Sequence, residues 1–65
     1  MSDKIYPTQK MVCPHCQEEQ EENASSYVIP GRIGNESRVD SQCEHCDEEF
    51  SAELLKDGWI EVQEL

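Results

Sequence analysis

The sequence predicts a small β-rich domain that depends on its cysteines for stability. The chain has 65 residues, and only 18 apolar side chains remain once the four cysteines and Met1 are set aside. A chain of this length buries about 60% of the surface that it exposes when unfolded, so a hydrophobic core alone leaves it marginally stable. Fifteen acidic residues against five basic ones give a formal net charge of -10, a balance typical of chains close to disorder. The cysteines are the residues available to compensate for the small core.

The cysteines form two closely spaced pairs, Cys13-x-x-Cys16 and Cys43-x-x-Cys46, separated by 26 residues. Two pairs of thiolates, each in its own turn, can meet at one metal ion in a tetrahedral arrangement. The surrounding sequence also repeats with an offset of 30 residues, since five of seven positions are identical between 13–19 and 43–49. We therefore expect two similar loops that face one metal ion, with all four cysteines as its ligands.

Two other uses of four cysteines are open but less favoured. Disulfides form in oxidising compartments, and the N-terminal segment MSDKIYPTQK has no apolar run that would make a secretory signal. A thioredoxin-like redox pair uses one CxxC beside a βαβ unit, which this sequence does not predict. The same considerations predict a cytoplasmic protein (in the host cytoplasm if a phage encodes it). The sequence contains no run of about 18 apolar residues, so it predicts no membrane-spanning helix.

The two cysteine loops resemble the knuckles of zinc ribbons and of the related rubredoxins, over roughly residues 10–62. The resemblance implies a zinc ribbon with two knuckles and short antiparallel hairpins, in which the four cysteines hold one zinc ion or, in the rubredoxin case, one iron ion. Both metals suit four thiolates in a tetrahedron. Both families often place glycine after the second cysteine of a knuckle, where this chain has Gln17 and Asp47, and rubredoxins have an aromatic-rich core, whereas this chain has four aromatic residues. These departures favour zinc over iron.

His15 and His45 occupy the same position in the two repeats, next to a ligand cysteine. Four thiolates already complete a tetrahedral shell, so we expect both histidines outside the coordination shell or on the surface. A closed shell also leaves no position for a reactive water molecule. The sequence therefore predicts a protein that is not an enzyme.

The expected organisation is a flexible N-terminal tail over residues 1–9, followed by a single domain over residues 10–65. Residues 10–13 lead as an extended segment into the first cysteine pair. β-branched and aromatic residues predict a strand over Ser26–Ile29, turn residues predict a hairpin loop over 30–35, and residues 36–42 form the returning strand. Residues 48–55 fit a strand or a helix, and the Asp57-Gly58 turn before the alternating segment 59–62 favours the strand.

The charge distribution bears on the partners. Acidic residues follow each cysteine pair, whereas Arg32 and Arg38 lie in the central segment, which has no net charge. Direct nucleic-acid binding requires a basic footprint that this chain lacks. We expect a monomeric, acidic, zinc-binding adaptor that contacts another protein with a basic surface, with Arg32, Ile33 and Arg38 as candidate contacts. The resemblance to zinc ribbons places it in transcription or translation machinery. An iron electron carrier of the rubredoxin type and an acidic mimic that inhibits a DNA- or RNA-binding protein are the alternatives.

Overall fold

The computed structural model describes residues 2–65, which form six strands in two antiparallel sheets. The larger sheet has the strand order β1-β6-β5-β4, and the smaller one pairs β2 with β3. Two short 3₁₀ helices, Ala24–Tyr27 and Gly34–Ser37, lie between β3 and β4. The predicted small β-rich fold class is confirmed. In chain order the strands are β1 Ser2–Ile5, β2 Lys10–Val12, β3 Glu19–Asn23, β4 Val39–Gln42, β5 Glu49–Leu54 and β6 Ile60–Glu64.

The hydrophobic core lies on one face of the larger sheet. Phe50 and Ala52 of β5 alternate with residues of the opposite face, and Val62 and Ile60 of β6 lie opposite Ala52 and Leu54. Phe50, Ile60 and Val62 are almost completely buried, as is Met11 of β2, which packs against them. Because successive side chains of a strand point to opposite faces, a slip of one residue would expose this whole set, and the apolar pattern therefore fixes the register.

The β5–β6 hairpin has the turn that the sequence predicts. The Leu55 amide donates to the Trp59 carbonyl at 2.8 Å, and the Gly58 amide donates to the Leu55 carbonyl at 3.0 Å. Gly58 adopts a φ of 91°, which glycine reaches without a steric penalty. The Asp57 carboxylate accepts from the Trp59 amide at 3.1 Å. This closed loop makes residues 49–54 a strand, so the choice of strand over helix is confirmed.

The flexible tail predicted for residues 1–9 is wrong for the residues that the structure describes. β1 pairs antiparallel with β6 and places Ile5 opposite Ile60, where Ile5 packs on the core. The Tyr6 ring then stacks on Trp59 with 4.0 Å between the ring centroids. One apolar residue and one aromatic stack therefore hold a segment that lacks a clear strand pattern. Met1 lies outside the described residues.

The strand predicted for Ser26–Ile29 is also wrong. Residues 24–27 form a 3₁₀ helix, from which Tyr27 packs against Phe50 with 5.9 Å between ring centroids, and Val28 is buried. These residues fill the core instead of pairing with a neighbouring strand. β2 pairs instead with β3, a segment of acidic and amide residues. The first cysteine loop reverses the chain between the two strands and so brings β3 alongside β2.

The returning strand begins later than predicted and has a different partner. β4 covers only Val39–Gln42 and pairs with β5, while Glu36 lies in the second 3₁₀ helix. Buried Ser37 fastens this helix to the sheet. Its hydroxyl donates to the Gly34 carbonyl at 2.6 Å and accepts from the Leu54 amide at 2.7 Å.

A search for membrane-spanning helices among the described residues found none of sufficient length and apolar character.

Candidate metal centre

The structure brings all four predicted cysteines together. Their sulfur atoms lie within 4.8 Å of one another. Two separations between the knuckles are 3.6 Å, for the sulfurs of Cys13 and Cys46, and 3.7 Å, for those of Cys16 and Cys43. A zinc ion with bonds of about 2.3 Å to four thiolates requires sulfur–sulfur separations of about 3.8 Å. These two separations suit a tetrahedral ion, and the cluster as a whole is compact enough for all four cysteines to hold one metal ion.

The cysteines are free thiols. A disulfide bond requires two sulfurs about 2.05 Å apart, so the observed separations do not correspond to disulfides. Cys13 and Cys43, the first cysteine of each pair, are buried. Cys16 and Cys46, the second cysteine of each pair, are the two half-buried thiols. The cluster thus has a buried side and a side that solvent can reach.

Backbone hydrogen bonds shape each cysteine loop in the same way. In the first loop, the Cys13 amide donates to the Glu18 carbonyl at 3.0 Å, and the Gln17 amide donates to the Cys13 carbonyl at 2.9 Å. Gln17 adopts the left-handed conformation, with a φ of 66°. The second loop repeats both bonds thirty residues later, from Cys43 to Glu48 and from Asp47 to Cys43, and Asp47 has a φ of 62°.

The internal sequence repeat is therefore a structural repeat. The first cysteine loop joins β2 to β3 and the second joins β4 to β5, and these two pairs are the first and second hairpins. Val12 pairs with Glu19 in the first hairpin, and the equivalent residues Gln42 and Glu49 pair in the second. Gln17 and Asp47 adopt the left-handed conformation at the two positions where zinc ribbons and rubredoxins often have glycine. This conformation costs most residues roughly 1–2 kcal/mol, and aspartate tolerates it better than glutamine.

Backbone N–H groups and burial act against each other at the sulfurs. The amide of the residue two positions later donates to the first sulfur of each loop at 3.3 Å, from His15 to Cys13 and from His45 to Cys43. Burial raises the pKa of the Cys43 thiol, but backbone N–H groups of Cys46 and His45 outweigh it, and the pKa of Cys43 is lowered to about 6. Cys43 is therefore disposed to carry negative charge before a metal binds.

The two half-buried thiols behave in the opposite way. A backbone hydrogen bond with Glu48 lowers the pKa of Cys46, but burial and the neighbouring sulfurs outweigh it and raise that pKa to about 12. The backbone hydrogen bond with Glu18 and the side chain of Cys46 lower the pKa of Cys16, but burial and the sulfurs of Cys13 and Cys43 outweigh them and raise it. A bound metal ion would displace the protons that these thiols retain.

The two histidines connect each cysteine loop to the strand that follows the other loop. The Nε2 atom of His15 lies 2.8 Å from the carbonyl oxygen of Glu49, and that of His45 lies 3.3 Å from the carbonyl oxygen of Glu19. Nε2 carries the proton in this arrangement, because a carbonyl oxygen only accepts. The sequence placed the histidines outside the shell but did not predict these reciprocal bonds. Their recurrence with an offset of 30 residues was the available signal.

One further residue beside the sulfurs was missed by sequence reasoning. Gln20 of β3 is 2% exposed, and its side-chain amide lies 3.5 Å from the Cys43 sulfur. β3 consists only of acidic and amide residues, so its sequence does not distinguish Gln20 as buried. The repeat alone indicates an inward-facing position, because the equivalent residue in the second copy is Phe50.

The candidate contact residues lie away from the sulfurs, in the segment between the two hairpins. Ile33 is 54% exposed. The Arg32 guanidinium lies 3.7 Å from the Glu36 carboxylate, and that of Arg38 lies 3.3 Å from the Asp40 carboxylate. Ion pairs between such exposed groups contribute about 0–1 kcal/mol, so neither arginine is strongly committed to its present partner.

Acidic residues also share the face of the larger sheet opposite the core. The strand register places Glu53 directly opposite Glu61, with Lys4 on the other side of Glu61. Glu49 lies on the same face because it alternates with Phe50 and Ala52 of the core, and Asp40 lies there because it pairs with Ser51, which alternates with the same two residues. This surface is called the acidic sheet face below.

Comparisons with protein-family models, with curated proteins and with solved structures found no match for this chain. The likeness to zinc ribbons therefore rests on the four-cysteine frame and on the two hairpins that carry it.

Proposed function

We propose that the chain is a small zinc-binding adaptor in which the metal maintains the fold and the surface contacts another protein. The observation that supports this proposal is the cluster of four free thiols, taken two from each hairpin, with separations that suit one tetrahedral ion. Four thiolates leave no coordination position for water or substrate, which favours a structural over a catalytic metal. Free thiols also suit a reducing compartment such as the cytoplasm.

One feature supports zinc as the metal in place of iron. Phe50 is the one aromatic side chain among the buried core residues that the structure describes, whereas rubredoxin cores are rich in aromatic residues. The half-buried position of Cys16 and Cys46 is the one feature that suits electron transfer, because it brings sulfur close to solvent.

Metal analysis separates the two possibilities. The protein is purified without a metal-binding tag from cells grown with both zinc and iron, and its metal content is measured by native mass spectrometry and elemental analysis. One zinc ion per chain and a colourless protein support the proposal. Stoichiometric iron with visible thiolate-to-metal absorption would replace it with the electron carrier.

The loop between the two hairpins supports a contact with a protein partner. Ile29 and Ile33 are 43% and 54% exposed, and Arg32 lies between them in sequence. The Ser37 hydroxyl accepts from the Leu54 amide of β5, and this bond fixes the backbone of the loop that carries the two isoleucines. An exposed apolar pair with a cation beside it is the composition of a small contact surface.

The acidic sheet face supports a partner with a basic surface. Zinc bound by four thiolates carries a charge of -2, which makes the metal-loaded protein more acidic than its formal charge of -10. Long-range attraction to a basic protein follows from such a charge and weakens with added salt. Nucleic-acid-handling proteins have such surfaces, and an acidic mimic that occupies a DNA- or RNA-binding groove is the second candidate, supported by the alignment of four carboxylates on one sheet face.

A pull-down with matched variants tests the contact surface. Ile33→Ser is compared with Leu65→Ser, because the two residues are 54% and 53% exposed. Loss of a captured protein with the first variant and its retention with the second support the loop as the contact. Equal capture by both variants at every salt concentration would refute both the loop and the acidic face. Release by salt alone, with Ile33→Ser unaffected, would favour the mimic.

A further inference from the structure

We infer that Gln20 is a positioning residue of the metal site, which holds the Cys43 sulfur in place and joins the two cysteine loops. This inference rests on the proposed metal-binding function and concerns a residue outside the four ligands. Gln20 is 2% exposed, although glutamine is seldom buried unless its amide group is satisfied. Its hydrogen bonds account for that burial.

The Gln20 side chain makes three hydrogen bonds, two of which connect the loops. Its Nε2 group donates to the Glu18 carbonyl at 3.0 Å, which fixes the amide within the first loop. The same group donates to the Cys43 sulfur at 3.5 Å. Its Oε1 atom accepts from the Glu44 backbone amide at 3.2 Å. One side chain from the first hairpin thus holds both a ligand and the backbone next to that ligand in the second.

The chemistry of these bonds favours a metal thiolate. An N–H group that donates to a thiolate takes up part of its negative charge, and groups that hydrogen-bond to ligands orient them and tune the metal. This need is large here, because four thiolates lie together in a protein with a formal charge of -10. The donor is neutral and buried, so its contribution does not depend on salt.

Gln20 also makes the two halves of the site unequal. Its equivalent in the repeat is Phe50, which is completely buried in the core and has no donor to offer. Cys43 therefore receives N–H groups from its own loop, at His45, and from the other hairpin, at Gln20. Cys46 and Cys16 are half-buried and more accessible. Cys43 is therefore the ligand that Gln20 anchors.

Two substitutions separate the functions of the amide. Gln20→Glu keeps an oxygen that accepts from Glu44 but removes the donor and adds a negative charge beside Cys43. Gln20→Met keeps the unbranched shape and removes both functions. Gln63→Glu adds the same charge at an exposed position of β6 and serves as the control.

Zinc affinity is measured by competition with a chromophoric chelator, and ¹¹³Cd chemical shifts are measured with cadmium in place of zinc. We expect Gln20→Glu and Gln20→Met to weaken zinc binding by about 10- to 100-fold and to move the ¹¹³Cd resonance, with Gln63→Glu close to wild type. A role in packing alone would lower stability without moving the cadmium resonance. Affinities and resonances equal to those of Gln63→Glu would overturn the inference.

The unaltered protein provides a measurement that does not depend on the folding of a variant. With ¹¹³Cd bound, a proton–cadmium correlation spectrum connects the metal to N–H protons that are hydrogen-bonded to its thiolates. A cross-peak to the Gln20 side-chain amide supports the inference. Cross-peaks to the His15 and His45 backbone amides without one to Gln20 would refute it. Failure to bind zinc or cadmium at all would instead refute the proposed function.

Discussion

Removal of the metal is expected to unfold the chain. The four largest apolar side chains in the core, those of Met11, Phe50, Ile60 and Val62, are at most 1% exposed. Their burial contributes about 1.5–3 kcal/mol each, or roughly 6–12 kcal/mol together. Structural zinc contributes about 10–16 kcal/mol of apparent free energy in comparable small domains. We therefore expect the metal to contribute at least as much free energy as these four side chains.

The net stability decides the outcome. A domain of 65 residues typically has an unfolding free energy of about 3–10 kcal/mol. A loss of about 10–16 kcal/mol exceeds this range, so the metal-free chain should be unfolded even though its sheet and core residues are unchanged. Replacement of any one of the four cysteines by serine should have the same effect, because the closed shell is then incomplete.

The assay is a titration of the metal-loaded protein with a strong chelator at pH 7, followed by NMR amide dispersion and by the fluorescence of Trp59, the single tryptophan. Trp59 stacks on Tyr6 with 4.0 Å between ring centroids, so its emission reports whether β1 remains on the sheet. We expect both signals to be lost together and to return when zinc is added back. A dispersed spectrum that persists after the metal has been removed would refute the reasoning.

Three further predictions concern the surroundings of the sulfurs. His15→Ala and His45→Ala should retain one metal ion per chain and lose about 0.5–1.5 kcal/mol each in denaturant unfolding, the value of one hydrogen bond; loss of the metal in either variant would show that the ring is a ligand. Gln17→Gly should stabilise the metal-loaded protein by about 0.5–1 kcal/mol, because relief of the left-handed conformation exceeds the added flexibility of the unfolded chain, and an unchanged or lower denaturation midpoint would contradict this. Zinc affinity should rise with pH, since the raised pKa values of the two half-buried thiols mean that zinc must displace their protons at pH 7, and it should fall more steeply below pH 6, where Cys43 is also protonated. Calorimetry in buffers of different ionisation enthalpy counts the released protons, and a count near zero would contradict the predicted pH dependence.

The strands that the sequence predicts correctly are those with a local signal. β5 and β6 alternate apolar and polar residues on either side of an Asp-Gly turn, and both the pattern and the turn act within one hairpin. β3 has no such signal, because Glu19–Asn23 contains no apolar residue and becomes a strand only when the first loop returns it beside β2. Ser26–Ile29 has good strand propensity, but packing of Tyr27 and Val28 on the core overrides it. Tertiary packing decides such segments.

The site shows the same division between local and distant information. The two CxxC pairs specify the ligands because their spacing forms the loop, and the repeat indicates that both loops face one point. The bonds that His15, His45 and Gln20 make from one loop to the other join residues that are 23 to 34 positions apart. Their formation depends on how the two hairpins dock, which no residue spacing encodes. The clustering of the four cysteines could therefore be predicted from the sequence, and the bonds that surround the cluster could not.

A metal ion bound at the cysteine cluster would explain how so acidic a chain can fold. Like charges directly opposite in a sheet are destabilising, by about 0.2–1 kcal/mol per pair, and Glu53 faces Glu61 in this way. The two left-handed residues at Gln17 and Asp47 add a further cost. A core of this size cannot offset many such terms, but a metal that supplies about 10–16 kcal/mol can. If a metal maintains the fold as proposed, the acidic sheet face and the loop around Ile33 need not contribute to stability, and their residues are available for the proposed contact with a partner.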